Sequence, residues 1–148
     1  MSKPAHRIKS AHTVRPHVLH VEWANGGASD IDLSATIAAT PFFAPLKDAA
    51  VFMAARAGEW GWDVVWPGGV DMAADQLLYL ALEQAGKADN ARLRKWMANN
   101  GMTLNDAATA LGMTPRTISA YGSGARPVPR TVALACIGWE TLHGKKAA

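Results

Sequence analysis

The chain of 148 residues lacks features that several protein classes require. It has one cysteine, Cys136, which excludes an internal disulfide and a cysteine-based metal cluster within one chain. No run of about 18 uninterrupted apolar residues is present, which excludes a membrane-spanning helix. The basic residues 1–10 are not followed by an apolar stretch of signal-peptide type, so we expect a cytoplasmic protein. A glycine-rich phosphate loop, a nucleophile elbow and zinc-ligand spacing are also absent from the sequence.

Charged residues are sparse, at 18% of the chain, and they are unevenly distributed. Residues 1–84 hold 6 basic and 9 acidic side chains, a net charge of −3, whereas residues 85–148 hold 9 basic and 3 acidic side chains, a net charge of +6. A basic half favours contact with nucleic acid. A solvated basic surface explains the charge equally well, so the motifs must decide between the two.

Alternating apolar and polar residues predict strands in the first half. One strand carries three apolar side chains on one face: Leu19, Val21 and Trp23. The dipeptide Asn25-Gly26 favours a hairpin turn after it, because both central residues of such a turn need a positive φ. A third strand, bent at Gly61, is predicted from the alternation of Trp60, Trp62, Val64 and Trp66. Asp71 can then cap a helix that runs to about Ala85.

These patterns predict an α+β protein in three segments. Residues 1–13 are polar and basic without periodicity, which is typical of a flexible tail. Residues 14–86 predict a small α+β domain with an antiparallel sheet and helices. Every segment of residues 87–148 has helical period, which predicts an all-α bundle. Its last helix is expected over Pro129–Leu142, with Gly144 ending it.

Two short helices separated by a tight turn are predicted within the bundle. Thr103, with Asp106 three residues later, fits a capping box, and the helix that it starts ends before Gly112. Thr114 caps the next helix, and Pro115 stands at its first position, where proline costs nothing. This spacing is typical of a helix-turn-helix.

The restricted positions of this motif are filled by suitable residues. Ala108 is small where the second helix crosses the first, and Gly112 supplies the positive φ of the turn. These two residues and the stretch Ile118–Arg130 carry a resemblance to a known family. Residues 91–143 resemble the phage-repressor-like helix-turn-helix family, also called the xenobiotic-response-element type. The resemblance implies a repressor-like transcriptional regulator that binds specific double-stranded DNA as a homodimer. Its recognition helix would cover about residues 115–122.

The outward face of that helix provides the candidate DNA contacts. The residues expected to contact bases are Pro115, Arg116, Thr117 and Ala120. Arg116 is the strongest of them, because a guanidinium can bond the O6 and N7 of guanine together. The residues expected to contact phosphates are Thr103, Thr114, Ser119, Ser123, Arg126 and Arg130.

Residues 14–79 resemble a small bacterial family of unknown function. The resemblance rests on Asp32-Leu33 and on the family's F-x-P-L and W-P-x-G-x-D motifs, which occur here as Phe43-Ala44-Pro45-Leu46 and Trp66-Pro67-Gly68-Gly69-Val70-Asp71. It implies no established reaction, and members are suspected partners in toxin–antitoxin pairs. The alternative function is therefore a protein-interaction module, such as an autoregulating antitoxin that acts through this domain on the product of a neighbouring gene.

An enzyme is the third hypothesis. Paired carboxylates can perform acid–base chemistry, and the candidates are Asp30, Asp32, Asp63 and Asp71. Acidic residues on the solvent-exposed face of a sheet are far commoner than catalytic pairs. His17 and His20 face opposite sides of a strand, which argues against a shared metal. The tryptophan alternation could line a ligand pocket but is more typical of a core. We therefore expect no enzyme, no metal and no cofactor.

Overall fold

A computed structural model of the protein describes residues 6–143 and divides the chain into two compact units. The first, here called the sheet unit, is Met1–Ala81, and the second, the helical unit, is Leu82–Ala148. The boundary falls inside a helix rather than after residue 86, where the change in composition had placed it. The predicted end of the last helix at Gly144 lies outside the described residues.

The sheet unit contains two antiparallel sheets of three strands each within its described residues. The first sheet has the order β1-β2-β3, with β1 (Ile8–Arg15), β2 (Val18–Trp23) and β3 (Ala28–Asp32). The second has the order β4-β5-β6, with β4 (Arg56–Ala57), β5 (Asp63–Trp66) and β6 (Val70–Ala73). Between the sheets in sequence lie α1 (Ser34–Ala39), a 3₁₀ helix (Pro41–Lys47) and α2 (Ala49–Met53).

The hairpin predicted from alternation is confirmed, but the positive φ values of its turn lie at Gly26 and Gly27 rather than at Asn25 and Gly26. β2 and β3 pair in antiparallel register, and the N–H of Trp23 donates to the carbonyl of Gly27 at 3.0 Å across the turn. Leu19, Val21 and Ile31 are fully buried. The sequence pattern predicted this pair because β2 alternates between buried and partly buried side chains from Leu19 to Trp23, which is a period of two.

The predicted tail over residues 1–13 is wrong from Ile8 onward. Ile8–Arg15 form β1, which pairs with β2 from Ile8↔Trp23 to Arg15↔Val18. Ile8 is its one buried side chain, and further along the strand the hydroxyl of Thr13 donates to the carbonyl of Phe52 at 2.9 Å. The strand therefore forms through its pairing with β2, which no local apolar pattern in residues 1–13 reveals.

The third strand is shorter than the tryptophan alternation predicted. Trp60 and Trp62 lie in the turn that precedes β5 and are not part of the ladder. Asp71 does not cap a helix either, because it pairs with Val65 inside β6. The next helix, α3 (Ala74–Gln84), begins only after that strand.

The core of the sheet unit lies between its two sheets and around Phe52. The carbonyl of Phe52 accepts from the hydroxyl of Thr13 in β1 at 2.9 Å and from the indole N–H of Trp66 in β5 at 3.2 Å. The Phe52 and Trp66 rings lie 5.9 Å apart, centroid to centroid. Fully buried side chains of both sheets surround them: Leu19, Val21, Ile31, Val64 and Met72.

The described part of the helical unit holds the end of α3 and four further helices. These are α4 (Ala88–Asn99), α5 (Leu104–Leu111), α6 (Pro115–Ser123) and α7 (Arg130–His143). Their buried contacts form one core: Leu93, Trp96, Ala107, Ala108, Ile118, Tyr121, Val128, Val132 and Cys136. Burial raises the pKa of the Cys136 thiol to about 11, so it remains protonated at neutral pH. Over residues 6–143, no helix has the length and apolar character that a membrane crossing requires.

Gly61 is required in the turn before β5. Its φ is +73°, and a Cβ added there would overlap the carbonyl oxygen of Ile8 in β1. We predict that Gly61→Ala lowers the free energy of unfolding by about 2–4 kcal/mol, because backbone strain and a steric clash combine. Urea denaturation followed by tryptophan fluorescence measures this loss.

Gly68→Ala is the matched control. Gly68 has a φ of +88°, but no atom lies within 4 Å of an added Cβ. We expect it to lose only about 1–2 kcal/mol, from backbone strain alone. Equal losses in the two variants would show that the close approach to β1 is not what makes Gly61 necessary.

Candidate nucleic-acid interface

Two capped helices, α5 and α6, form the centre of the candidate interface. The N–H of Asp106 donates to Thr103 Oγ1 at 3.1 Å, and the N–H of Thr103 donates to Asp106 Oδ2 at 2.9 Å, which confirms the predicted capping box. Gly112 ends α5 with a φ of +66°, and Thr114 begins α6 by accepting from the N–H of Thr117 at 3.2 Å. The bond from the Thr103 backbone holds the pKa of Asp106 below its usual range.

The sides of α6 differ sharply in exposure. Ile118 and Tyr121 are buried in the core of the helical unit. Pro115, Arg116 and Ser119 are exposed, and Thr117 and Ala120 are half-buried beside them. Of the four residues predicted to contact bases, Pro115 and Arg116 therefore point outward, and Thr117 and Ala120 lie at the edge of the packed side. α6 contains no acidic residue.

The residues predicted to contact phosphates after α6 differ in availability. Arg126 and Arg130 are both exposed, and the Arg126 guanidinium lies over the ring of Tyr121 at 5.7 Å. The hydroxyl of Ser123 already donates to the carbonyl of Ala120 at 3.2 Å. The two arginines are therefore the better candidates.

The two capping threonines are weaker candidates for phosphate contact. The N–H of Thr103 is already bonded to Asp106, whose carboxylate places a negative charge at the start of α5. Thr114 Oγ1 lies 2.9 Å from Thr117 Oγ1, and Pro115 offers no N–H at the start of α6. Both helix starts therefore have less donor capacity for an anion than an uncapped helix start would have.

The side-chain amide of Asn90 fixes the carboxy-terminal end of α6. Asn90 lies in the first turn of α4 and is only 3% exposed. Its Nδ2 donates to the carbonyl of Tyr121 at 2.8 Å and to the carbonyl of Arg126 at 2.7 Å. One buried amide therefore holds both the last turn of α6 and the loop that follows it.

Two cations on the same side of α4 extend this clamp. Lys87 Nζ donates to the carbonyl of Gly124 at 3.0 Å, and Arg94 Nη1 donates to the carbonyl of Gly122 at 3.0 Å. Positive charge at a helix carboxy terminus interacts favourably with the helix dipole. Sequence reasoning misses all three clamp residues. Their spacing along α4 places them on one helix face, and this spacing is the sequence signal that could have identified them.

Several cations of the helical unit have partners within that unit, so its net charge is a poor measure of the positive charge available to a nucleic acid. Besides Lys87 and Arg94, two more cations have internal partners. Arg92 pairs with Asp89 at 3.2 Å, and Lys95 pairs with Glu83 at 2.8 Å. The exposed arginines in and after α6 are Arg116, Arg126 and Arg130.

The residues considered for catalysis or metal binding lie in the sheet unit and are spread over its two sheets. His20 Nδ1 lies 2.6 Å from Asp30 Oδ1 on the first sheet. Asp32 accepts from the N–H of Ser34 at 2.9 Å, and this bond lowers its pKa. Asp63, on the second sheet, lies beside Asp71, and partial burial together with this acid raises the pKa of Asp63. Within residues 6–143, no three His, Cys, Asp or Glu side chains are grouped in a way that could hold a metal ion.

We predict that Asn90→Asp destabilises the helical unit by about 2–5 kcal/mol. The substitution turns a donor into an acceptor that faces two carbonyl oxygens, and it buries a carboxylate against them. Asn99→Asp, at the exposed last position of the same helix, is the control and should lose no more than about 1 kcal/mol, because its negative charge meets the negative end of the helix dipole without burial. Urea denaturation followed by circular dichroism at 222 nm compares them, and similar midpoints for the two variants would contradict the clamp.

Comparisons with known proteins agree with this architecture. Residues 8–83 match the model of a family described as "Protein of unknown function (DUF2442)". The crystal structure of "Putative DNA Binding Protein NE0471" from Nitrosomonas europaea ATCC 19718 is similar, with a TM-score of 0.70 and 30% sequence identity over 95% of this chain and 90% of that one. No curated protein matches the chain. The expected resemblance to a small domain of unknown function is confirmed, and the chain belongs to the DUF2442 family.

Proposed function

We propose that the protein is a transcriptional regulator that recognises specific double-stranded DNA sequences with α6. The observation that carries the proposal is the exposed side of this helix, which presents Arg116 among short side chains and contains no acidic residue. Exposed Arg126 and Arg130 follow it in the chain. A helix with such a face can enter the major groove of B-DNA.

Base readout is assigned chiefly to Arg116. Its guanidinium carries parallel donors that match the O6 and N7 of guanine. Thr117 and Ala120 are short enough to allow a close approach of α6 to the base edges, and their methyl groups can contact a thymine methyl. Pro115 begins the helix without a backbone donor, so its contribution is contact alone.

Phosphate contacts are assigned to Arg126 in the loop after α6 and to Arg130 at the start of α7, together with Ser119 on α6. Such contacts set the position of a helix on the duplex without reading the sequence. The carbonyl of Arg126 is bonded to Asn90 at 2.7 Å, so the loop that carries this arginine is tied to α4. A loop fixed in this way binds phosphate with less loss of entropy than a mobile one.

The similar protein from Nitrosomonas europaea supports the proposal. It is described as a putative DNA binding protein, and the likeness extends over 95% of this chain. We interpret α5, the turn at Gly112 and α6 as a helix-turn-helix. The proposal includes a homodimer that contacts two half-sites about 34 Å apart. The exposed Leu134 and Ile137 of α7 are candidate contacts between the two copies. It includes no catalytic activity and no cofactor.

The test is fluorescence anisotropy with a labelled duplex from the intergenic DNA beside the gene and a scrambled duplex of equal composition, over a series of salt concentrations. We expect Arg116→Ala to cost about 1–3 kcal/mol on the genomic duplex and much less on the scrambled one. Arg126→Ala and Arg130→Ala should weaken binding to both duplexes and each reduce the salt slope by about 1.

Arg92→Ala is the matched control, because Arg92 is exposed but pairs with Asp89 on α4. It should bind as the parent chain does. Binding that is insensitive to salt would refute the proposal. So would Arg116→Ala, Arg126→Ala and Arg130→Ala proteins that all behave like Arg92→Ala.

A further inference from the structure

A turn in the sheet unit holds an indole ring in solvent. The N–H of Gly61 donates to the carbonyl of Gly58 at 3.0 Å, and the N–H of Ile8 donates to the carbonyl of Gly61 at 2.8 Å. The turn is therefore closed on itself and tied to β1. Trp60 within it is 65% exposed, and its ring centroid lies 5.5 Å from that of Trp62. Because two indoles lie side by side here, one of them exposed on an ordered turn, this aromatic pair is a candidate site of contact.

The two indoles border an open groove of about 740 Å³. Val64 and Trp66 of β5 are buried in the core, whereas Asp63 and Val65 point to the opposite face and line the groove. Arg56, Glu59 and Gly58 complete this lining. The groove thus lies on the outer face of the second sheet, with an aromatic rim.

A carboxyl pair lies on the same face. Asp63 lies beside Asp71 in β6, and partial burial, together with this neighbouring acid, raises the pKa of Asp63. The Asp63 carboxylate rests against Gly58, where any Cβ would overlap it. With Glu59, the acids on this face outnumber the one cation, Arg56.

We propose that this groove binds an arginine side chain presented by a partner protein. A guanidinium is planar, so it can stack on an exposed indole while its N–H groups donate to a carboxylate beside the ring. The net charge of −3 over residues 1–84 attracts a basic protein segment and repels nucleic acid. This site goes beyond the proposed DNA binding and does not depend on it.

The test uses the full-length protein and an acetylated, amidated pentapeptide, Gly-Gly-Arg-Gly-Gly, followed by NMR of the indole N–H groups. We expect saturable shifts of the Trp60 and Trp62 signals. The same peptide with citrulline, which keeps the planar shape and lacks the charge, should bind at least tenfold more weakly. Free arginine is the third arm, and binding of free arginine tenfold tighter than the peptide would assign the groove to a small molecule and overturn the proposal.

Two variants locate the contacts. Trp60→Ala and Asp63→Asn should each weaken peptide binding at least tenfold, with the circular dichroism spectrum unchanged. Phe42→Ala is the control, because Phe42 is another exposed aromatic side chain of the sheet unit, at 53%. Absence of saturable shifts, equal binding of the citrulline peptide, or an equal loss in Phe42→Ala would each overturn the assignment.

The pH dependence gives an independent readout. A bound cation favours the ionised form of Asp63, so the affinity should rise as the pH rises through the raised pKa of this carboxyl. Three more charged side chains face the same site: Arg56 and Glu59 line the groove, and Asp71 lies beside Asp63. Asp63→Asn should therefore flatten the profile but not abolish it. An identical profile in this variant would contradict the role of Asp63.

Discussion

A single buried amide determines where the proposed DNA-binding surface lies in the helical unit. Asn90 satisfies the carbonyls of Tyr121 and Arg126, and a buried carbonyl left without a donor costs about 1–3 kcal/mol. No other residue type of that size presents two N–H groups without a charge. Because one bond reaches α6 and the other reaches the loop after it, Arg116 on the helix and Arg126 on the loop are held in a fixed relation. The proposed base contacts and phosphate contacts therefore keep a fixed spacing relative to each other.

The same end of α6 explains why the net charge is an indirect guide to function. Lys87 and Arg94 donate to carbonyls at the carboxy terminus of α6, where cations offset the negative end of the helix dipole. These charges stabilise the helical unit and therefore contribute less to the electrostatic field outside it. In the described contacts, the guanidinium groups of the arginines on α6 and after it do not stabilise a helix end in this way. Arg126 stacks on Tyr121. Position, more than number, makes a cation suitable for DNA.

The accuracy of sequence reasoning followed the range of the interactions. The caps at Thr103 and Thr114 and the turn at Gly112 depend on partners within a few residues, and they were predicted correctly. Asn90 bonds to a carbonyl 31 residues away, so nothing beside it in sequence indicates the contact. β1 was missed for the same reason, because it depends on pairing with β2. The tryptophan alternation misled because a positive φ at Gly61 interrupts the strand and turns Trp60 outward.

The division of charge between the two units fits two separate kinds of partner. The matched family residues, 8–83, include the tryptophan-rimmed groove and end before α4, so the proposed arginine site belongs to the part that defines the family. Carboxylates on the outer face of the second sheet repel phosphate, and the arginines of α6 repel a basic peptide. Each surface therefore selects against the ligand of the other. Under the two proposals, a basic protein and DNA would therefore bind to different units and would not compete for one site.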